Sequence, residues 1–206
     1  MRYTWIDDYL LSKKAVTKDL QKDWNWIRYK IGDKMFAAVL LDDSDKPYYV
    51  NFKLDPEEGA ALRDRYDGMI PGYYSDKRCW NSVKADGDFP DELLKKLLDK
   101  SYALVLSGFA KKKQREILSL TVCGTDCNAC PLYKTQCVGC NEACGKVFHT
   151  GGKACAIYAC CANKKRFVTC GECESMPCGI WRTTRDPSMT DEQFENSINE
   201  RVNNLK

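Results

Sequence analysis

Twelve of the thirteen cysteines lie between Cys123 and Cys178, and their spacing is that of metal ligands. The run reads Cys123-x3-Cys127-x2-Cys130, Cys137-x2-Cys140-x3-Cys144, Cys155-x4-Cys160-Cys161 and Cys170-x2-Cys173-x4-Cys178. Three Cys-x2-Cys pairs are present: Cys127/Cys130, Cys137/Cys140 and Cys170/Cys173. Two intervening residues allow a tight turn that aims both sulfurs at one ion, and two such turns complete a tetrahedral thiolate site. Gly139 and Gly171, inside two of the pairs, suit that sharp backbone. The candidate ligands are Cys123, Cys127, Cys130, Cys137, Cys140, Cys155, Cys160, Cys170, Cys173 and Cys178. Cys79, Cys144 and Cys161 read instead as free cysteines packed as small hydrophobes.

All-thiolate sites suit zinc and iron-sulfur clusters alike. Zinc is the first choice, because the pairs have the form of structural knuckles; a 4Fe-4S cluster is the alternative. Cys123-x3-Cys127-x2-Cys130 also has the spacing of the radical S-adenosylmethionine motif, but too little chain follows it to build the β/α barrel such chemistry normally occupies. His149 is the only histidine, and it sits before Thr150-Gly151-Gly152, a loop signature. It reads as a surface residue rather than a ligand, and histidine-based acid-base chemistry has almost no material here.

A cluster of ions would also supply what the segment lacks. Its large apolar residues are Leu132, Val138, Val147, Phe148, Ile157, Phe167, Val168 and little else. So small a core needs staples. Each structural zinc can contribute on the order of 10 kcal/mol of binding free energy that is also folding free energy.

The rest of the chain differs in kind. Residues 1–118 hold a single cysteine, Cys79, and the chain as a whole carries a formal net charge of only +3, so no strong polyanion-binding field is implied. Arg2 to Asp8 offers no apolar leader, and no run approaches the roughly 20 apolar residues that span a bilayer. The expected setting is the reducing cytoplasm, where clustered cysteines are more often metal ligands than disulfides. Two domains are expected, 1–118 and 119–206.

The elements of the first follow from periodicity and turn chemistry. Ile6, Tyr9 and Leu10 have helical spacing. Trp24–Ile31, Lys34–Leu41 and Tyr48–Leu54 read as strands. Asp55 before Pro56 is an N-cap followed by proline at the first helical position. Cys79–Ala85 is a fourth strand candidate. Pro90 opens the longest helix, whose stripe is Leu94, Leu97, Leu98, Tyr102, Val105 and Phe109, with Gly108 and Lys111–Lys113 marking its end. The fold class is α+β, one antiparallel sheet packed on helices. Beyond the cysteines, Thr190-Asp191-Glu192-Gln193 is a capping box, and Phe194, Ile198 and Val202 continue it as a C-terminal helix over about 191–204.

The ordered set Lys34-Met35-Phe36, Asn51-Phe52-Lys53-Leu54-Asp55-Pro56, Pro71-Gly72-Tyr73-Tyr74, Lys77, Trp80-Asn81-Ser82-Val83 and Pro90–Leu94 resembles the MmcQ/YjbR family. The resemblance covers about the first 115 residues. It implies a CyaY-like α+β fold and a DNA-binding label that rests on structural analogy. Cys79 departs from the family pattern, where a histidine is frequent before the tryptophan. A frataxin-like iron role is discounted, because the first helix offers only Asp7 and Asp8 as acidic residues. The cysteines, together with Pro131, Gly139, Ile157, Glu172 and Pro177, resemble a second, Cys-rich family of unknown function that is presumed to bind metal.

For nucleic acid, the candidate contacts are Tyr74, Lys77, Arg78 and Trp80, with weak DNA binding as the expectation. The competing reading packs Trp80 and one tyrosine into the sheet and leaves the cations solvated. No Ser/His/Asp set, phosphate loop or paired-carboxylate motif favours an enzyme. The chain therefore reads as a non-enzymatic binding protein with a metal-stabilised module; the alternative is an iron-sulfur or thiol-based redox or metal-handling protein.

Overall fold

The computed structural model describes Arg2–Lys206, apart from the side chain of His149. The assignment of that histidine to the surface therefore lies outside the described residues. The chain forms two compact units that divide between Phe109 and Ala110. No helix among the described residues is long and apolar enough to cross a membrane.

In the first unit, helix α1 (Ile6–Leu11) precedes strands β1 (Val16–Gln21), β2 (Trp26–Ile31), β3 (Lys34–Leu41) and β4 (Pro47–Lys53). Helix α2 (Pro56–Arg65), strands β5 (Met69–Pro71) and β6 (Trp80–Lys84) and helix α3 (Asp91–Ser107) complete it. Among the described residues, the six strands form one antiparallel sheet in the order β1-β2-β3-β4-β6-β5. The expected α+β class is met, with two more strands than periodicity marks. Both are edges: β1 has only Val16 and Leu20 as large apolar positions, and β5 is three residues ending in proline. An edge strand buries little, so its sequence carries little signal. Asp19 fastens β1 to β2 by accepting from Arg28 and Lys30, which hold its carboxyl down at about 2.

Helix α3 lies across β3 and β4 and buries Leu94, Leu97, Leu98, Ser101 and Val105. Phe109 falls beyond its end, where Lys34 Nζ sits 4.2 Å from the ring centroid. Ser101 is the polar member of the buried stripe. Its hydroxyl accepts from the Lys53 N–H at 2.7 Å and donates to the Phe36 carbonyl at 2.5 Å. Ser101→Ala strands both backbone groups in a dry interface. The expected loss is about 1–3 kcal/mol, read as a lower urea midpoint with unchanged slope.

The second unit opens with helix α4 (Lys111–Ile117). The three lysines thus begin a helix instead of ending α3, because Ala110 adopts an extended backbone, φ −57° and ψ 143°. Turns then carry the chain to a 3-10 turn at Phe148–Thr150 and to α5 (Ala156–Tyr158), which continues as a π-helix over Ala159–Lys164. A 3-10 turn at Cys170–Glu172, helix α6 (Gly179–Arg182) and helix α7 (Asp191–Asn204) follow. The capping box forms as its spacing predicts: Gln193 N–H donates to Thr190 Oγ1 and Thr190 N–H donates to Gln193 Oε1.

The core of this unit is Val122, Ile157, Tyr158, Cys161, Cys170, Trp181, Phe194 and Ile198 among the described residues. Val138 and Phe148, expected to help fill it, are 62% and 61% exposed. Half of the core, Val122, Trp181, Phe194 and Ile198, comes from residues flanking the cysteine run. The run itself is even poorer in buried apolar surface than its composition indicates.

Candidate functional site

All thirteen cysteines are free thiols. Of the twelve in the second unit, the fold places eleven, all but Cys144, in two neighbourhoods. In the first, Cys127 feels the charges of Cys137, Cys123 and Cys130, and Cys140 feels those of Cys123, Cys127 and Cys155. Burial raises the Cys127 thiol and pushes Cys140 up to about 12, with the neighbouring thiols adding to the latter. In the second, Cys160, Cys161, Cys170, Cys173 and Cys178 line one cavity of about 360 Å³, whose walls include Ile157, Phe167 and Trp181. Local geometry supports these placements. The residue within the Cys137/Cys140 turn is Gly139, at φ +90°, where a Cβ would come within 2.7 Å of the Tyr133 ring.

Among the described residues, no three His, Cys, Asp or Glu side chains converge so as to hold an ion. The sulfurs instead use protein partners. Cys173 accepts from Lys165 Nζ at 3.0 Å, which lowers its pKa. Gly139 N–H donates to Cys137 Sγ at 3.4 Å, and Cys123 Sγ lies 3.3 Å from Thr125 Oγ1. Cys161 and Cys170 share a hydrogen bond that lowers the first thiol and raises the second. Two assignments outside the ligand set need correction. Cys144 is exposed and Cys79 half-buried, so neither packs as a buried hydrophobe; Cys161 does.

Arg115 was not visible as a site residue, because it sits in the charged run Lys111–Glu116. It is 3% exposed. Its guanidinium donates to Asn141 Oδ1 at 2.8 Å, to the Val168 carbonyl at 3.1 Å and to the Tyr158 hydroxyl at 3.4 Å. Among the described residues it makes no salt bridge to a carboxylate. Its charge instead acts to lower the pKa of Cys140 and Cys161, one thiol from each group. A buried cation without a counter-charge is costly. Metal-bound thiolates would provide one.

In the first unit, the segment between β5 and β6 carries Tyr74, Lys77 and Arg78, and Trp80 begins β6. Asn51 and Ser82, fully buried cross-strand partners, pin it from below. Asn51 Nδ2 donates to the Tyr73 carbonyl at 3.0 Å, Ser82 Oγ donates to Asn51 Oδ1 at 2.5 Å, and Tyr73 N–H donates to Ser82 Oγ at 2.8 Å. Gly72 must lack a side chain, since a Cβ there would lie 2.5 Å from that of Trp80. The expected exposed patch is corrected at Trp80, which packs into the sheet as the competing reading has it, while Arg78 stays exposed but paired. Trp80 is only 7% exposed, and Arg78 spends its charge on Asp76, with Nη2 3.0 Å from Oδ2. Tyr74 is 80% exposed and Lys77 is also exposed.

The family model described as YjbR matches residues 11–104. The uncharacterized protein YjbR of Escherichia coli K12 is 27% identical over 112 residues, 54% of this chain and 93% of the relative. The uncharacterized protein YbdF of Escherichia coli O157:H7 is 32% identical over 89 residues, 43% of this chain and 71% of the relative. Among solved structures, protein DR2400 of Deinococcus radiodurans is 31% identical, with a TM-score of 0.49 over 56% of this chain and 86% of its own. The residues from Ala110 onward lie outside the family-model match.

Proposed function

The chain belongs to the YjbR family through its first unit, and from that premise we propose that it is a non-enzymatic binding protein whose second unit is built around thiolate-bound metal, with zinc as the ion. The observation that carries this reading is the gathering of free thiols, distant in sequence, into two groups beside the buried, carboxylate-free Arg115. Thiolates for the ions would come from Cys123, Cys127, Cys130, Cys137, Cys140 and Cys155 in one group and from Cys160, Cys170, Cys173 and Cys178 in the other. The ion would supply cross-linking and hold its sulfur ligands as deprotonated thiolates. Their present hydrogen-bond partners would yield to it.

Elemental analysis of protein purified without added metal tests the proposal. Stoichiometric zinc in a colourless sample is the expected result. A brown sample with broad visible absorbance and bound iron would establish the iron-sulfur alternative. Metal-free protein with every thiol open to titration would refute both.

The nucleic-acid role of the first unit is proposed only in a weak form. Tyr74 offers one exposed ring beside Lys77 and a partly neutralised Arg78, and Trp80 is too buried to stack on a base. Single-stranded DNA is therefore expected to bind weakly and to be released as salt rises toward 0.2 M or so. Titration by fluorescence anisotropy checks this; tight binding that resists salt would contradict it.

A further inference from the structure

One face of the sheet carries a second kind of site. Trp26, Leu40 and Tyr49 are successive cross-strand partners on it, and Trp26, Ala38 and Leu40 form a buried cluster flanked by Met35, Tyr48, Tyr49 and Tyr73. At its margin lies a cavity of about 530 Å³ lined by Trp24, Trp26, Met35, Tyr74, Ser75, Asp76 and Trp80.

Three features of that lining point to one ligand chemistry. The walls are three indoles, a phenol ring, a thioether and the Ser75 hydroxyl, with one carboxylate and with neither a branched aliphatic side chain nor a cation among the lining residues. Lys53, outside the lining, already places its Nζ 5.5 Å from the Trp80 ring centroid, so that indole is one a cation can approach. Electron-rich rings beside a carboxylate favour a positively charged group. Two of the lining rings are also steeply inclined: Trp24 and Trp26 meet at 65° with centroids 5.6 Å apart. A flat aromatic ligand wants parallel plates, and inclined rings suit a rounded group better.

The third feature is the cost of the arrangement. Trp24 is 56% exposed and Tyr74 is 80% exposed. Tyr74 holds a left-handed backbone at φ 51°, and Asn25, directly after Trp24, does so at φ 53°. Both conformations are fixed from outside the cavity. Asn25 Nδ2 donates to the Asp42 carbonyl at 2.9 Å and to Asp45 Oδ1 at 3.0 Å, while the Asn51–Ser82 pair fastens the Tyr73 backbone. Strain and exposure maintained by hydrogen bonds from outside the cavity are the marks of a presented site. Arg78, the cation nearest the carboxylate, has an 85% exposed side chain. An ion pair that open to solvent competes weakly with a ligand.

We propose that this cavity binds an organic cation through a quaternary or N-methylated ammonium group, walled by the exposed rings of Trp24 and Tyr74, floored by the largely buried edges of Trp26 and Trp80, and neutralised by Asp76. The cavity is larger than the headgroup alone, so the ligand carries further organic substance beyond the nitrogen. This site is independent of the metal module, and its test is blind to whether the second unit holds an ion.

The full-length protein is titrated with choline, with its neutral carbon isostere 3,3-dimethylbutan-1-ol and with adenosine monophosphate. The readout is the indole N–H resonances of its five tryptophans. Choline is expected to shift the Trp24, Trp26 and Trp80 signals saturably and leave Trp5 and Trp181 in place. The neutral isostere should bind roughly tenfold more weakly. Trp24→Ala, at an exposed turn position, should weaken choline binding by roughly tenfold; Asp76→Asn, which keeps its oxygen acceptor for the Arg78 N–H, should weaken it by several-fold. Circular dichroism verifies that both variants fold. The proposal is overturned if choline causes no saturable shift, if the isostere binds as well, if adenosine monophosphate binds more tightly, or if Trp24→Ala changes nothing.

Discussion

Treating the reduced protein with a strong chelator is expected to abolish the ordered structure of Ala110–Lys206 and to leave the first unit's sheet intact. The reason is the balance between what the second unit buries and what it must order. Its core among the described residues is eight side chains, two of them cysteines. Between Ile117 and Phe148 the chain forms no helix or strand of any length, so backbone hydrogen bonding there is mostly local, with the Val122 and Gly145 carbonyls accepting from the distant Cys170 and Cys155 amides. Ordering each residue costs about 1–2 kcal/mol in backbone entropy, and a typical domain retains a surplus of only about 5–15 kcal/mol. An ion worth on the order of 10 kcal/mol is then the difference between a folded and an unfolded segment. Hydrogen exchange resolves the two units. Amides from 110 onward should lose protection on chelation and regain it when zinc is returned, while those of β2, β3, β4 and α3 stay protected. Full protection of the second unit in verified metal-free protein would sink the proposed role of metal.

Replacing Arg115 with methionine is expected to cost the second unit about 3 kcal/mol or more. The change removes donors from Asn141 Oδ1, the Val168 carbonyl and the Tyr158 hydroxyl at once, and these tie α4 to three separate points within the cysteine run. It also removes the positive charge that both thiol groups feel. If those thiols are metal-bound and net negative, zinc retention should fall together with stability. Arg115→Lys should rescue little, because one ammonium cannot span acceptors that a planar fork reaches in parallel. Thermal unfolding followed separately in each unit by hydrogen exchange is the measurement. A loss under about 1 kcal/mol, or one spread over both units, would show that the guanidinium is not the junction described.

The elements most legible in the chain were those whose signals are local. Asp55-Pro56 started a helix, and Thr190 with Gln193 started another, because an N-cap and its partner lie within one turn. The apolar run Lys34–Leu41 became the central strand β3, buried on both sides. The two edge strands were illegible for the complementary reason, that little of either is buried. Trp24 was placed at the start of a strand and instead occupies the turn before β2, where Asn25 takes a left-handed backbone. Nothing in the neighbouring residues marks that difference.

By itself, the order of residues determined the kind of chemistry available: many thiols at knuckle spacing, one histidine, no nucleophile set, and an α+β first unit of the YjbR type. Only the tertiary structure decided which of those groups meet. It brought Cys140 beside Cys123 and Cys155, buried Arg115 out of a run that reads as solvent-facing, and set Trp24 and Trp80 on one cavity. Caps and periodicities act over a few residues and so are written in the chain. The meeting of side chains tens of residues apart depends on strand order and loop path, which no short stretch of sequence contains.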